Sequence, residues 1–231
     1  MIIALVGQKG GVGKSSLAVN LAAEAVDRGH TALLVDADEQ ATARTWAAVG
    51  SEAGHPIPTA IAMGATMHKP GQLDRVGKGY DWIMIDSPPR LADIQRSALM
   101  AADLALLPCG PSASDTWAIA SSVELVLEAQ KIRPTLRGAI VITRKQGRTA
   151  IGQAVRNALE GTGLPLLRNE LGYRVAFQEA LAAGLGIGQY APGTPASFEI
   201  RRLFDEVAAL GTLDVQKDPE HRPAKAAARR R

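Results

Sequence analysis

The stretch M-I-I-A-L-V-G-Q-K-G-G-V-G-K-S-S, Met1 to Ser16, decides how the rest of the chain is read. A six-residue apolar run suited to a buried strand leads into a glycine-rich turn, with Lys14 and Ser15 directly behind it. Such a turn lets backbone N–H groups close on phosphate oxygens, while the dipole of the following helix favours negative charge. The usual pattern, G-x-x-x-x-G-K-[ST], anchored on Gly13 and Lys14, asks for glycine at position 8 and meets Gln8. An additional lysine, Lys9, stands ahead of Gly10, Gly11 and Gly13. One lysine suffices for a β/γ-phosphate, so the second requires its own account.

Beyond this loop, strand-like and helix-like segments alternate. Ile2–Val6 reads as a strand and Lys14–Arg28 as a helix closed by Gly29. Thr31–Val35 is a strand ending at Asp36, and a shorter unit follows at Ile57–Ala62 and Gln72–Val76. Trp82–Ile85 is a strand ending at Asp86, and Leu104–Leu107 is a strand running into Pro108. Asp115–Lys131 is helical, Ala139–Thr143 a strand, Thr149–Leu159 a helix and Leu164–Leu167 a short strand. Helices at Arg174–Ala183 and Pro195–Leu210 close the pattern. Short apolar strands interleaved with amphipathic helices imply βαβ units, hence an α/β, P-loop-type fold with a mostly parallel sheet covered on both faces.

Composition agrees. The chain has 231 residues, 46% hydrophobic and 21% charged, which suits one domain with a substantial core. Cys109 is the single cysteine, so an intrachain disulfide or a Cys-rich metal site is excluded, and a reducing cytoplasm is the expected location. We expect neither a signal peptide nor a bilayer-crossing segment. The formal charge of +3 resides in the last twenty residues, Thr212 to Arg231, which hold six basic and three acidic side chains. Residues 1–211 therefore form the expected domain, and 212–231 a basic tail whose Pro/Ala/Lys/Arg composition reads as disordered.

In an open parallel sheet, ligands bind beyond the carboxyl ends of the strands. Three segments fall there. Within the loop, Lys9, Gly10, Gly11, Val12, Gly13, Lys14, Ser15 and Ser16 are the expected phosphate contacts, with Lys14 neutralising the β/γ-phosphates and the Ser15 hydroxyl on Mg²⁺. In L-L-V-D-A-D-E-Q, Asp36 and Asp38 lie two apart at a strand end and can both enter the cleft if the chain stays extended. In W-I-M-I-D-S-P-P, Asp86 is the natural acid to hold the metal, directly or through water.

K-G-G-V-G-K-S-S headed by lysine, together with D-A-D-E-Q and I-M-I-D-S-P-P, resembles the deviant phosphate loop and partner motifs of the ParA/MinD family of dimerising P-loop ATPases, and specifically its small ParA-type partition proteins. The resemblance extends over about residues 1–210, including L-V-L-E-A-Q (Leu125–Gln130) and V-I-T-R (Val141–Arg144). Glu39 stands where a proline is common. The resemblance implies ATP and Mg²⁺ as cofactors, with Lys9 reaching across an ATP-bound dimer to the other subunit's phosphates. Two facing loops bring about eight phosphate charges together, which calls for added cation. It further implies that Asp38 orients the attacking water. Thr143 and Arg144, at a strand end facing the cleft, are the candidate contacts to the base.

The family sorts DNA, places division sites and carries metal clusters, so fold alone does not assign the task. A polar, proline-containing tail makes a poor membrane anchor, and the apolar stripe of Phe198, Leu203, Phe204, Val207 and Leu210 reads as core. Stable membrane association is therefore not expected. The remaining branch coats DNA without reading sequence, through Arg148, Arg174, Arg201 and Arg202 as candidate phosphate contacts, with Arg168 and the tail arginines in reserve. On that reading the protein is cytoplasmic and nucleoid-associated. It forms an ATP-dependent homodimer, binds double-stranded DNA, and responds to a ParB-like centromere-binding adaptor in plasmid or chromosome partition. A positioning ATPase for a protein cargo, such as a carboxysome or chemosensory cluster, and a MinD-like membrane-cycling regulator are the alternatives. With the loop starting at residue 7, we expect no N-terminal DNA-reading module.

Overall fold

A computed structural model describes residues 1–147 and 150–212. Strand β1 (Ile2–Leu5) delivers the chain into the glycine-rich loop, and α1 (Lys14–Asp27) carries it back along the sheet. The remaining elements, in order, are β2 (Ala32–Asp36), α2 (Thr42–Glu52), β3 (Thr59–Ala62), α3 (Leu73–Val76), β4 (Trp82–Asp86), α4 (Ala92–Ala101), β5 (Leu104–Cys109), α5 (Ala113–Ile132), β6 (Arg137–Ile142), α6 (Ala150–Glu160), α7 (Val175–Ala182), α8 (Ile187–Tyr190) and α9 (Pro195–Thr212). The strands form one six-stranded sheet in the order β3-β2-β4-β1-β5-β6, with every ladder parallel.

Alternation along each strand builds two cores. Ile3, Leu5 and Leu34 face a cluster with Leu17, Leu21, Trp46 and Phe204, while Ala4, Val6, Leu33 and Val35 face Leu99, Val123, Val126 and Leu159. Register then places the acids. Leu5 pairs with Asp86 and Asp86 with Asp36, so both carboxylates end at the sheet edge from which the glycine-rich loop springs.

The structure departs from the sequence-based expectation in several places. Helices α2 and α4 were not anticipated, nor was the single turn α8. The strand expected at Leu164–Leu167 shrinks to one bridge, Ile140 to Leu166. Pro165 has no N–H to donate, and Ile140 alone bonds to both Pro165 and Leu167. The edge strand β3 starts at Thr59 rather than Ile57, because Pro58 cannot join the ladder as a donor. Thr149, the expected start of the next helix, lies outside the described residues, as does 213–231, which contains nearly all of the expected tail.

Helix α9 serves the core. Leu203, Phe204 and Val207 are buried and Leu210 packs against them, whereas Phe198, expected in the same stripe, is exposed. Phe204 meets Trp82 with ring centroids 4.5 Å apart, and the Arg28 guanidinium lies 4.6 Å from its ring centre. Phe204→Ala should therefore cost about 3–5 kcal/mol in urea unfolding, while Phe198→Ala should stay within about 0.5 kcal/mol. Equal costs would contradict this packing of α9.

Candidate functional site

The loop between β1 and α1 is shaped by Gly11 and Gly13, whose φ values of 76° and 97° are left-handed and exclude ordinary side chains without strain. Lys14 follows, 7% exposed, its Nζ donating to the Lys9 carbonyl at 3.2 Å. Burial pulls its pKa down, and the nearby Asp86 and Asp38 carboxylates oppose that pull. Lys9 is placed quite differently. Its Nζ turns to Asp115 Oδ1 at 2.5 Å and Ser114 Oγ at 3.0 Å, at the start of α5. Two lysines of one loop thus occupy two environments.

Asp86 supplies the clearest chemical signal. It is 1% exposed, and neither carboxylate oxygen has a hydrogen-bond partner. Burial drives its pKa to about 7, reinforced by Asp36 and Asp38. Lys14 and the nearby Ser15 hydroxyl, which falls short of a well-formed hydrogen bond to it, pull the other way. A buried, unpartnered carboxylate beside a serine hydroxyl and a phosphate-type loop fits a hard divalent cation. Among the described residues no group of three His, Cys, Asp or Glu side chains could hold a metal unaided, so phosphate oxygens would have to complete the shell.

The two acids after β2 divide their work. Asp36 is buried and spends its oxygens on the backbone, accepting from Asp38 N at 3.1 Å and Arg44 N at 2.9 Å. It therefore holds the loop rather than projecting freely. Asp38 is half-buried and accepts from Gln40 N at 3.0 Å, close enough to Lys14 and Asp86 to shift both. Thr143 and Arg144, at the end of β6, hold the loop as well: Thr143 Oγ donates to Val12 O at 2.8 Å and Arg144 to Gly11 O at 2.6 Å. Both also line a cavity of about 270 Å³ beside the loop, with Ser16, Tyr173, Arg174, Phe177 and Gln178. Its size and mixed lining suit a base or ribose.

Sequence reading missed the groups that position the loop. In the sequence Asp115 reads only as a helix start. Yet S-A-S-D is a capping signal: Ser112 Oγ accepts from Asp115 N at 3.1 Å and donates to Asp115 Oδ2 at 2.5 Å. Burial would raise the Asp115 carboxyl, but Lys9 and Ser112 overcome it and hold it below its ordinary value. Gly110 makes the room, since a Cβ there would lie 2.4 Å from Asp115 Oδ2. Gln95, fully buried on α4, was also missed. Its Nε2 donates to Pro88 O at 2.7 Å and Gly7 O at 3.3 Å, tying the segment after Asp86 to the loop. Cys109 is inert, its thiol pushed up to about 12 by burial first and by Asp115 next.

The basic candidates separate. Arg174 is committed to Glu199, at 2.5 Å and 3.2 Å, and with Lys145, Arg168 and Arg202 borders a cleft of about 400 Å³ that also contains Glu170 and Glu199. Arg201 is exposed but acts on Asp27 and does not line this cleft. Arg148 lies outside the described residues.

Residues 3–187 match the CobQ/CobB/MinD/ParA nucleotide-binding domain. The maintenance of carboxysome distribution protein A of Halothiobacillus neapolitanus is 31% identical over 208 residues, covering 89% of this chain and 95% of that protein. The chromosome-partitioning ATPase Soj of Thermus thermophilus is 31% identical over 239 residues, covering 90% and 95%. In fold, the septum site-determining protein MinD of Pyrococcus horikoshii, solved with Mg-ADP, superimposes with a TM-score of 0.70 at 20% identity, covering 92% of this chain and 97% of that one.

Asp86 sets a pH dependence. Its folded pKa of about 7 lies above the ordinary 3.8, so over that interval the folded protein keeps a proton that the unfolded chain has released. The resulting contribution to stability is fully present below about pH 4 and is lost as pH rises through about 7. In metal- and nucleotide-free buffer the melting temperature should fall across this range, and Asp86→Asn should flatten the decline. An identical slope in the variant would assign the effect to other groups.

Proposed function

The chain belongs to the CobQ/CobB/MinD/ParA nucleotide-binding domain family, and from that premise we propose that it is an ATP-driven dimerising ATPase that binds DNA without reading sequence and uses that hold to partition a plasmid or chromosome. Mg²⁺–ATP, when bound, supplies the γ-phosphoryl group that water attacks. The residues present fit that pair. Backbone N–H groups of Gly10 to Ser16 would cradle the phosphates, Lys14 would neutralise the β/γ charge, and Ser15 and Asp86 would hold the cation. Asp38, whose charge acts on both Lys14 and Asp86, would orient the water. Tyr173, Phe177 and Gln178 enclose the base side of the cavity next to the loop.

The observation that carries the dimer reading is the contrast between the two lysines. Lys14 is turned into its own loop, whereas Lys9 is held away from it by Ser114 and Asp115 at the start of α5, from which it can be transferred to a second copy's phosphates. In the cleft where Lys145 is paired with Glu170 and Arg174 with Glu199, Arg168 and Arg202 are the basic groups that support contact with DNA phosphates, and a dimer doubles them. A ParB-like adaptor bound to the cargo would accelerate hydrolysis and release the DNA, placing the protein on the nucleoid in the cytoplasm.

Spacing of a protein cargo is the second reading, favoured by the similarity to the carboxysome-distribution protein, which equals that to Soj in identity. The same site and cycle serve both, and only the adaptor differs. A membrane-cycling role is less well supported, since Leu203, Phe204 and Val207 of α9 are spent on the core. None of the described helices is long and apolar enough to cross a membrane.

DNA mobility shifts with ATP, a slowly hydrolysed analogue, ADP and no nucleotide test the proposal. Retardation should require the ATP-type nucleotide and fall steeply with salt, and Arg202→Ala should weaken it on every sequence and lower the salt slope by about one. Equal retardation without nucleotide would overturn the switch. Lys9→Ala should retain fluorescent-nucleotide binding yet lose ATP-dependent dimerisation, and Asp38→Ala should dimerise with little turnover. Normal hydrolysis by Asp38→Ala would remove it from the role of positioning water.

A further inference from the structure

Gln8 stands where a phosphate loop usually carries glycine, and the fold gives its side chain a partner. Unlike Gly11 and Gly13, Gln8 does not have a positive φ, so its backbone calls for no glycine. Its N–H donates to the buried Ser122 Oγ of α5 at 3.0 Å, and its Nε2 donates to Gln95 Oε1 of α4 at 3.4 Å. Gln95 is fully buried, and its own Nε2 donates to Pro88 O at 2.7 Å and to Gly7 O at 3.3 Å. Two carbonyls require the NH₂ end of that amide, which settles its orientation and leaves its oxygen for Gln8. One buried side chain thus joins residues 7 and 8 of the loop to a residue two positions past Asp86.

Pro88 and Pro89 bring no N–H with which the chain after β4 could close on itself, and Arg90 follows with a left-handed φ of 63°. Ser87 Oγ fastens the near end of this segment to Leu5 O at 2.5 Å, and Gln95 fastens its middle. We propose that Gln95 is a positioning residue that locks the Asp86 segment to the phosphate loop. Gln8 is its counterpart on the loop, and the pair makes nucleotide and Mg²⁺ bind as one unit. The proposal rests on the proposed Mg²⁺–ATP site of Lys14, Ser15 and Asp86. Phosphate that settles the loop also settles Pro88 through Gln95, and a cation drawn to Asp86 acts back along the same bonds, so the coupling is reciprocal. Groups that orient a metal-holding side chain from behind change metal affinity by about 10- to 100-fold when removed.

Binding of a fluorescent ATP analogue to the full-length protein, with magnesium or with a chelator in its place, tests this without recourse to turnover. Magnesium should tighten binding to the wild type. Gln95→Met keeps the side chain's length and removes its amide. Its affinity in chelator should stay within about twofold of the wild type, while the gain from magnesium falls about tenfold. Gln8→Ala, at a half-buried position, should lower that gain about threefold. Adding it to Gln95→Met should cost nothing further, a non-additivity that independent structural roles would not produce. A wild type that binds the analogue with no gain from magnesium overturns the proposed cation site itself. A wild type that gains, beside a Gln95→Met protein with an equal gain, overturns this inference alone. Should Gln95→Met fail to fold, Gln8→Ala decides: a full gain overturns the link and a reduced one supports it.

Discussion

Three neighbouring parallel strands set the geometry on which everything else depends. Because Leu5, Asp86 and Asp36 lie in register across β1, β4 and β2, the loop after Leu5 opens directly beside two buried carboxylates. Parallel strands bring all their carboxyl ends to one edge, so the glycine-rich turn and the buried acid beside it arise together from the sheet. Asp36 then spends itself on backbone N–H groups and shapes the loop that carries Asp38. Asp86 has no such outlet and is kept as a costly unpaired carboxyl, a state that cation binding relieves.

The second constraint is steric. Gly110 leaves space for Asp115, Asp115 takes the Lys9 ammonium, and the Lys14 ammonium turns back onto the Lys9 carbonyl. Gln95, Thr143 and Arg144 brace the same loop from α4 and β6, with contacts to Gly7, Val12 and Gly11. The loop is therefore rigid at its base and open at its crest.

The central architecture was legible because its signals are strong. Ile2–Val6, Thr31–Val35 and Trp82–Ile85 are continuous apolar runs ending in glycine or aspartate, a pattern that belongs to buried parallel strands. Helix α2 escaped notice because its buried face is Ala43, Trp46, Ala47 and Gly50, where small residues give little hydrophobic contrast. Helix α4 was hidden for the opposite reason, since its buried positions include Gln95 and Ser97. Polar residues satisfied by distant backbone look like surface in a sequence. The Leu164–Leu167 run misled for the converse reason: apolar composition was present, but Pro165 withheld the N–H a ladder needs.

The sequence by itself determined the family and the glycine-rich loop, and it singled out Lys14, Ser15 and Asp86 as the candidates for its chemistry, because those depend on residue types at fixed local spacing. Only the tertiary structure decided what surrounds them. Lys9 finds Asp115 across 106 residues, Gln95 reaches Gly7 across 88, and Arg174 is claimed by Glu199. Pairings of that kind are set by which strand ends and helix starts the sheet order brings together. Local spacing carries no trace of them, so the second lysine announced itself in the sequence while its holder emerged only from the fold.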